Sequence, residues 1–358
     1  MSTCTLKNID CREGIKTLPD DSVNLVLMDP PYFIDKMDDL WSPEKLKQGV
    51  EKAGVVGGMP VGMAFDPRQG RRLQEFMYEV SVQLMRVLVA GGLLVSFMSP
   101  RLYHRMAVAI EDAGFEIRDQ VIWLHAGGQG KAFTMNHFVE KMDLTREEKD
   151  ALIASMAGGK TPQLRPMFES IAVVQKPKEG TFVENWEKWR TCLIWPDFPG
   201  GQQTTVFECP KPRSRKTIDH LTIKPVPLME RLLRVFSIEG HTVLDPFMGS
   251  GTTGVACVST RRNFIGFEKD GEHFDLAKTR VDEAQQMLGR SSSGRSMHDL
   301  GTGPASQVPG PHGPTECVGP GNFTGYTGPG NFGGYTGHRG PQSWGGVSSA
   351  QSQGIAYN

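Results

Sequence analysis

Apolar positions along the chain fall into short runs rich in β-branched residues, separated by segments in which apolar residues recur every three or four positions. Short continuous runs are typical of buried strands, whereas the longer spacing indicates one face of a helix. Seven strands are predicted, at residues 6–9, 23–28, 93–98, 116–124, 170–175, 241–244 and 263–267. Helices are predicted at residues 74–88, 102–113, 252–259 and 275–288. Strands that alternate with helices predict an α/β fold with a mostly parallel sheet.

Three stretches interrupt this alternation. Residues 33–70 are rich in Gly and Pro, and residues 178–220 contain three tryptophans. Residues 127–166 open with a glycine-rich tetrapeptide and include Thr145-Arg146-Glu147-Glu148, which has the form of a helix capping box. We expect these stretches to be insertions or a small second domain.

The last part of the chain has a different composition. From residue 291 to residue 358, 24 of 68 positions are Gly or Pro and only four are charged. A nine-residue sequence beginning Gly-Pro-Gly-Asn-Phe occurs twice, at residues 319–327 and 328–336. Such a chain cannot bury enough apolar surface to offset the entropy lost on ordering. We predict a disordered tail.

The charge balance leaves room for a nucleic-acid partner only at a local patch. The 358 residues carry 39 Lys and Arg against 40 Asp and Glu, a formal net charge of −1. The densest basic run places four cations in six residues: Lys211, Arg213, Arg215 and Lys216. A run of this kind is either a solvated face or a strip that contacts phosphates.

Cysteine spacing and hydropathy exclude several other classes. The six cysteines include no C-x-x-C pair, so no metal site is expected. No apolar run approaches the roughly 18 residues of a membrane span, and the first residues lack the apolar core of a signal peptide. We therefore expect a cytoplasmic protein with free thiols and no membrane partner.

The first candidate site is Asp29-Pro30-Pro31-Tyr32, at the end of the second predicted strand. Open α/β sheets bind ligands at the carboxyl ends of their strands. The Asp29 carboxylate and the Pro30 carbonyl are two hydrogen-bond acceptors, Pro31 stiffens the turn, and the Tyr32 ring offers a stacking surface. Two acceptors beside an aromatic plate suit an exocyclic amine on a flat heterocycle, although a proline turn that merely ends a strand has the same sequence.

The second candidate site is the loop Asp245-Pro246-Phe247-Met248-Gly249-Ser250-Gly251-Thr252-Thr253, between a predicted strand and a predicted helix. Its glycines let the backbone approach a ligand, and Glu268 ends the next strand, where a carboxylate can accept from ribose hydroxyls. Gly249, Gly251 and Gly254 also fit G-x-G-x-x-G, so a dinucleotide site stays open. The Asp245 carboxylate favours a ligand with an ammonium group, such as the methionine part of S-adenosylmethionine.

Together these residues resemble the amino-group DNA methyltransferases, in the order that puts the catalytic motif before the cofactor motif. The resemblance covers residues 6–175 and 220–281. It depends on five pieces: Asn8-Ile9-Asp10-Cys11, the Asp29–Tyr32 motif, Lys224-Pro225, the 245–253 loop and residues 263–268. Ile223 departs from the glutamine that commonly precedes Lys-Pro in this family, and residues 178–219 match no family motif.

The resemblance implies a circularly permuted, seven-stranded, Rossmann-like sheet of the S-adenosylmethionine-dependent methyltransferases. Asp29, Pro30, Pro31 and Tyr32 would bind the target amine. The cofactor would contact Asp10, Cys11, Lys224, Pro225, Asp245, Pro246, Phe247, Gly249, Ser250, Gly251, Thr252, Thr253 and Glu268. Residues 1–176 would form the catalytic half, with the insertion 127–166, residues 177–219 the target-recognition segment, residues 220–290 the cofactor half and residues 291–358 the tail.

The reaction implied is methyl transfer from S-adenosylmethionine to the exocyclic amine of a base flipped out of double-stranded DNA. Asp rather than Ser before Pro-Pro-Tyr favours adenine N6 over cytosine N4 in this family. No cysteine follows a proline, so the covalent route to carbon-5 methylation is not expected. A non-catalytic DNA-binding protein, a nucleotide-dependent oxidoreductase and an RNA or protein acceptor remain as alternatives. A restriction endonuclease partner, a homodimer and a bacterial or phage-infected host are further expectations.

Overall fold

The computed structural model describes residues 2–32, 67–125, 132–162, 164–197, 202–211 and 223–293. The strands are β1 Cys4–Asn8, β2 Val23–Met28, β3 Leu88–Met98, β4 Glu116–Leu124, β5 Phe168–Gln175, β6 Val206–Glu208, β7 Thr242–Asp245 and β8 Asn263–Glu268. The helices are α1 Cys11–Lys16, α2 Pro67–Val87, α3 Tyr103–Asp112, α4 Asn136–Glu140, α5 Arg146–Ser155, α6 Phe182–Trp189, α7 Val226–Phe236, α8 Thr252–Ser259 and α9 Gly271–Ser293. Residues 291–293 of the predicted tail belong to the end of α9, and residues 294–358 lie outside the described residues.

The strands form one sheet in the order β1-β8-β7-β2-β3-β5-β4-β6. Neighbouring strands are parallel except around β5, which runs antiparallel to both β3 and β4. The predicted α/β, mostly parallel fold is therefore confirmed. The count of seven strands was one too few among the described residues, because β6 has three residues and too short a pattern to be recognised.

Helices cover both faces of the sheet, and β2 shows why its sequence is continuously apolar. Leu25 and Leu27 point into one core cluster, whereas Val26 and Met28 point into the other. A strand buried on both faces loses the alternation of polar and apolar residues. On α2, the fully buried side chains Leu73, Met77 and Leu84 keep the helical spacing and pack in the second cluster.

Several predicted bounds need correction. Strand β3 begins five residues before the predicted start, since the chain passes through Ala90-Gly91-Gly92 without leaving the sheet. Gly91 has φ of 69°, and a Cβ atom there would lie 2.1 Å from the sulfur of Cys192. Glycine is thus required for close packing at this position and does not end the strand.

The tryptophan-rich segment packs against the amino end of β3, which lies at the end of the sheet opposite the carboxyl end of β2. Asn185 Nδ2 and Thr191 Oγ1 donate to the Ala90 carbonyl at 3.2 and 2.6 Å, near the amino end of β3. The backbone N–H of Cys192 donates to the Gly91 carbonyl at 3.2 Å. Asn185, Thr191 and Cys192 therefore lie at the end of the sheet away from Asp29, whereas β6 ends beside Leu124, at the same end of the sheet as Asp29.

No helix within the described ranges is both long and apolar enough to cross a membrane. The same part of the chain contains no group of His, Cys, Asp or Glu side chains arranged to hold a metal ion.

Candidate functional site

Four acidic residues meet at the carboxyl edge of the sheet. Strands β1, β8, β7 and β2 are neighbours and run parallel, with Asn8 opposite Glu268 and Leu25 opposite Val243. Asp10, Glu268, Asp245 and Asp29 stand at or just beyond the ends of these strands. Because parallel strands end at one edge, the two candidate motifs, more than 200 residues apart in sequence, become neighbours.

The glycine loop after β7 is held by its own backbone. Met248 N–H donates to the Phe267 carbonyl at 2.9 Å, and Gly251 N–H donates to the Met248 carbonyl at 2.9 Å. Gly249 and Gly251 have φ of 51° and 77°, the left-handed region that favours glycine. A Cβ atom on Gly251 would lie 2.9 Å from the Cα of Ala277 in α9. This glycine is therefore required for packing of the loop against a helix.

Asp245 binds the loop that comes after it. Its carboxylate accepts from the N–H of Phe247 at 3.0 Å and from Thr253 Oγ1 at 2.5 Å. The side chain is buried beside Pro246, and burial raises the pKa of this carboxyl to about 7. The carboxylate that the sequence assigned to a ligand ammonium is thus engaged within the protein.

The first turn of α8 is tied to α9 in the same way. The Arg280 guanidinium donates to Ser250 Oγ at 2.9 Å and to Thr252 Oγ1 at 3.2 Å. Ser250, Thr252 and Thr253 are all buried. The Ser250 and Thr252 hydroxyls therefore hold the loop against α9, whereas the Thr253 hydroxyl holds it to Asp245.

Glu268 and Asp10 border the loop from the outer strands. Glu268 accepts from Gly249 N–H at 2.8 Å and from Asp270 N–H at 2.9 Å. Asp10 caps α1 and accepts from Arg12 Nε at 3.0 Å, which lowers the pKa of the Asp10 carboxyl. Cys11 beside it is buried, and burial raises the pKa of its thiol to about 12, so it is no thiolate nucleophile.

An aromatic pair closes this part of the site. The rings of Phe76 and Phe247 lie 6.0 Å apart, and the Arg12 guanidinium lies 5.7 Å from the Phe76 ring centre. Phe247 comes from the glycine loop and Phe76 from α2. The sequence pointed to Phe247 but not to Phe76, which has the spacing of one apolar position in an amphipathic helix.

Asp29 stands in a more open setting, with its side chain about a quarter exposed at 26%. Tyr32 Oη donates to Asp29 Oδ1 at 3.0 Å, and the Lys224 ammonium forms a short ion pair with Asp29 Oδ2. Pro30 is buried and Pro31 is partly buried. Burial, reinforced by the negative charge of Asp29, raises the pKa of the Tyr32 hydroxyl well above its ordinary value, so it stays a donor.

Lys224 joins Asp29 to a residue that no motif indicated. Its ammonium lies 3.5 Å from Glu169 Oε2 and 4.8 Å from the centre of the Phe97 ring. Burial acts to lower the pKa of Lys224, but Asp29 and Glu169 together raise it, so the side chain is cationic. The sequence grouped Lys224 with the cofactor residues, whereas here it contacts Asp29; Pro225 after it is buried and caps α7.

Glu169 is a site residue that sequence reasoning missed. It is the second residue of β5, and because β5 is antiparallel, its amino end reaches the same edge as the carboxyl ends of the other strands. Lys211 Nζ donates to Glu169 Oε1 at 2.9 Å. Burial acts to raise the pKa of Glu169, but Lys224 and Lys211 hold it below its ordinary value.

The basic run is described only at its first residue. Lys211 is 40% exposed, and its ammonium lies 5.4 Å from the Trp123 ring centre. Arg213, Arg215 and Lys216 lie outside the described residues. His125, at the end of β4, is buried, and within the described part of the chain neither ring nitrogen has a hydrogen-bond partner. Burial and Lys211 lower its pKa.

A mostly parallel α/β sheet with a glycine loop beside an Asp-Pro-Pro-Tyr turn defines a class of group-transfer enzyme. The family of N6 and N4 DNA methylases matches residues 23–279, and the chain belongs to this family. The type II methyltransferase M.HindIII of Haemophilus influenzae is 28% identical over 297 residues, which span 76% of this chain and 94% of that protein.

Two solved structures have a similar chain course. The M1.HpyAVI–SAM complex is 21% identical, with 78% of this chain and 100% of that chain covered and a TM-score of 0.49. The PvuII DNA methyltransferase, described as cytosine-N4-specific, is 14% identical, with 82% and 94% covered and a TM-score of 0.49.

Proposed function

We propose that this DNA methylase transfers a methyl group to N6 of adenine in double-stranded DNA. Its methyl donor is S-adenosylmethionine, the cofactor of the family. The observation that carries the proposal is the position of Asp29 and Tyr32: they come after β2, directly beside β7 and the glycine loop. A base bound at Asp29 would therefore lie next to a methyl donor bound at the loop.

The residues around the loop fit this cofactor. Asp10 and Glu268 offer carboxylate oxygens to hydroxyl groups, and the rings of Phe76 and Phe247 supply an apolar aromatic surface. When bound, the cofactor supplies an electrophilic methyl group. Asp245 would not contact the cofactor itself. It accepts hydrogen bonds from Phe247 and Thr253 and so fixes the loop that would border the cofactor.

Direct transfer to an amine needs alignment and charge stabilisation. Asp29 and the Pro30 carbonyl would accept the amine hydrogens, orient the nitrogen lone pair and stabilise the positive charge that develops on nitrogen. Tyr32 would stack on the flipped base, with its hydroxyl held by Asp29 at 3.0 Å. Asp29 need not be a strong base for this role.

One residue, Asp29, favours adenine over cytosine as the target base. An aspartate, Asp29, precedes Pro-Pro-Tyr, and the family resemblance associates Asp with adenine N6 and Ser with cytosine N4. A pocket for adenine and a pocket for cytosine present the same two hydrogen-bond acceptors to an amine. The methylated base is therefore identified by experiment.

Incubation with labelled S-adenosylmethionine and duplex DNA, followed by mass spectrometry of the nucleosides, tests the proposal. We expect N6-methyladenine from the wild type and a rate of its formation about a hundredfold lower from Asp29→Asn. Detection of N4-methylcytosine instead of N6-methyladenine would mean that the target base is cytosine. Cofactor binding without any labelled nucleoside would indicate the non-catalytic DNA-binding alternative.

DNA binding by the basic run is a separate proposal. Neutralising Lys211, Arg213, Arg215 and Lys216 together should weaken binding to specific and random duplexes alike. The slope of log K against log salt should fall by up to about 0.9 for each phosphate that is no longer neutralised. An unchanged slope would indicate a solvated face, and loss of discrimination with little change in slope would indicate base reading.

The other expectations stay predictions. They are the division of the chain at residues 176, 219 and 290, the restriction endonuclease partner, the homodimer and the cytoplasmic location. Among the described residues of the target-recognition segment 177–219, Lys211 reaches the Asp29 side of the sheet, where it forms an ion pair with Glu169.

A further inference from the structure

Four side chains form a row from the surface to the proposed catalytic carboxylate. Lys211, Glu169, Lys224 and Asp29 alternate in charge, and each contacts the next. Exposure falls from 40% at Lys211 to 24% at Glu169 and 11% at Lys224, and rises again to 26% at Asp29. The formal charges of these four residues cancel, so the row is neutral as long as it is intact.

Among the residues that the structure describes, the ammonium of Lys224 has two carboxylates within reach. It is in close contact with Asp29 Oδ2, and Glu169 Oε2 lies 3.5 Å away, within ion-pair range. A movement of about an ångström would exchange one partner for the other. Phe97 lies beneath the ammonium at 4.8 Å and can accompany either position through a cation–π contact.

As long as Lys224 stays on Asp29, it competes with the target amine. Tyr32 already donates to Asp29 Oδ1, so Oδ2 is the oxygen that an incoming amine would use. A cation on that oxygen also opposes the positive charge that develops on the amine nitrogen during transfer. The free-enzyme arrangement is therefore unfavourable for the proposed reaction.

We propose that Glu169 is a positioning residue that draws Lys224 away from Asp29 when DNA engages Lys211. This inference rests on the proposed function. A DNA phosphate that takes Lys211 removes one of the two cations on Glu169. Glu169 then attracts Lys224 more strongly, and Asp29 Oδ2 is released for the amine. Substrate binding at the surface is thereby coupled to the state of the catalytic carboxylate.

Two variants, one in each partner of the Lys211–Glu169 ion pair, distinguish the positioning role of Glu169 from a purely structural role. Glu169→Gln leaves Lys224 with Asp29 as its single carboxylate. We expect at least a tenfold fall in the single-turnover rate at saturating DNA and cofactor, with DNA affinity within threefold of wild type. Lys211→Met should act mainly on binding, with a several-fold rise in the Kd for DNA and a fall in rate at least fivefold smaller than that of Glu169→Gln.

A purely structural ion pair predicts the same change from either partner. Equal loss of single-turnover rate in the two variants would therefore overturn the proposal, as would a Glu169→Gln rate within twofold of wild type. If Glu169→Gln fails to fold, the exposed Lys211→Met variant still decides: a fall of less than fivefold in its single-turnover rate supports the proposal, and a larger fall overturns it. Lys278 and Asp282, an exposed pair at 3.0 Å on α9, provide the control: Lys278→Met and Asp282→Asn should leave both measurements unchanged.

The wild-type enzyme distinguishes this inference from the proposed function. Absence of methyl transfer to DNA by the wild type would overturn the proposed function itself. Transfer by the wild type with equal effects of the two variants would overturn only the coupling through Glu169.

Discussion

Two Asp-Pro turns end neighbouring parallel strands, and they differ in almost every physical property. Asp245, after β7, is 3% exposed and accepts hydrogen bonds from its own loop. Asp29, after β2, keeps a quarter of its side chain exposed and faces the cation of Lys224. The same dipeptide at the same edge of the sheet therefore has two environments. Asp245 holds a loop in place, whereas Asp29 stays partly exposed, as its proposed role requires.

The difference comes from the residues after each turn. After Pro246 the chain folds back onto β8 and enters α8, so its N–H and hydroxyl donors surround Asp245. After Pro30 comes Tyr32, which supplies one hydroxyl, and the remaining partner arrives from Lys224, 195 residues away in sequence. A carboxylate enclosed by its own loop is structural; one reached by distant side chains can be reached by a substrate.

The largest effect should come from Asp29→Asn. The amide keeps the shape and can still accept from Tyr32, but it lacks the charge that stabilises the developing cation. We expect a loss of about a hundredfold in the single-turnover rate, equivalent to about 3 kcal/mol. Calorimetry should show unchanged cofactor affinity. A variant that keeps more than about a tenth of the wild-type rate would contradict the role of Asp29.

Gly251→Ala should disturb the Asp245 side of the comparison next most strongly. The new Cβ would lie 2.9 Å from the α9 backbone at Ala277, at a residue with φ of 77°. We expect a loss of about 1–3 kcal/mol in the free energy of unfolding, together with weaker cofactor binding.

The matched control for this change is Gly271→Ala, where an added Cβ meets nothing within 4 Å. Denaturant titration and calorimetry should show no change in that variant. Weaker cofactor binding by Gly251→Ala with full stability would mean that the loop contacts the ligand here and not the helix.

Asp245→Asn tests whether burial raises the pKa of the Asp245 carboxyl. The folded-state pKa is raised from 3.8 to about 7, so the folded protein binds a proton that the unfolded chain has released in this window. Stability contributed by the protonated form is therefore lost as the pH rises. Relative to Asp245→Asn, the wild type should lose stability between about pH 4 and pH 7 and change no further above it. Thermal unfolding of both proteins across this range measures the difference, and a constant difference would contradict the burial argument.

Thr253→Val should have the smallest effect. It removes the hydroxyl that donates to Asp245 Oδ2, and a net loss of about 1 kcal/mol is expected. Thr279→Val is the control, since it removes an exposed hydrogen bond from the Thr279 hydroxyl to the Asp275 carbonyl within α9. It should change the free energy of unfolding by less than about 0.5 kcal/mol. Equal losses in the two variants would mean that the Thr253 bond contributes nothing particular to the loop.

Elements with strong local patterns were predictable from the sequence. β2, β7, β8 and the helix α8 were expected within one or two residues of where they lie, because each is a buried run or a helix after a glycine loop. The capping box at Thr145 is present and begins α5, since that motif depends only on residues three apart. Local hydrogen-bond chemistry decides such elements without help from the rest of the chain.

Short or composite elements were missed for an equally physical reason. β6 has three residues, α1 has six, and α6 has eight, in a tryptophan-rich segment whose capping box at Thr181 was not recognised. α7 was also missed, although Leu228, Leu232 and Val235 have helical spacing. For β6, α1 and α6, packing stabilises an element whose own pattern is too brief to predict it, whereas the pattern of α7 is long enough to predict a helix.

The sequence by itself determined the fold class, because alternating buried strands and amphipathic helices have few ways to cover their apolar faces. It also singled out Asp29 and the loop at Gly249–Gly251 as candidate sites, because those residue types occur in recognisable local order, and their chemistry stays a proposal. Only the tertiary structure decided which carboxylate is enclosed and which is open. It alone placed Glu169 beside Lys224 and Lys224 beside Asp29, since the antiparallel direction of β5 and the meeting of strand ends at one edge depend on contacts between residues far apart in the chain.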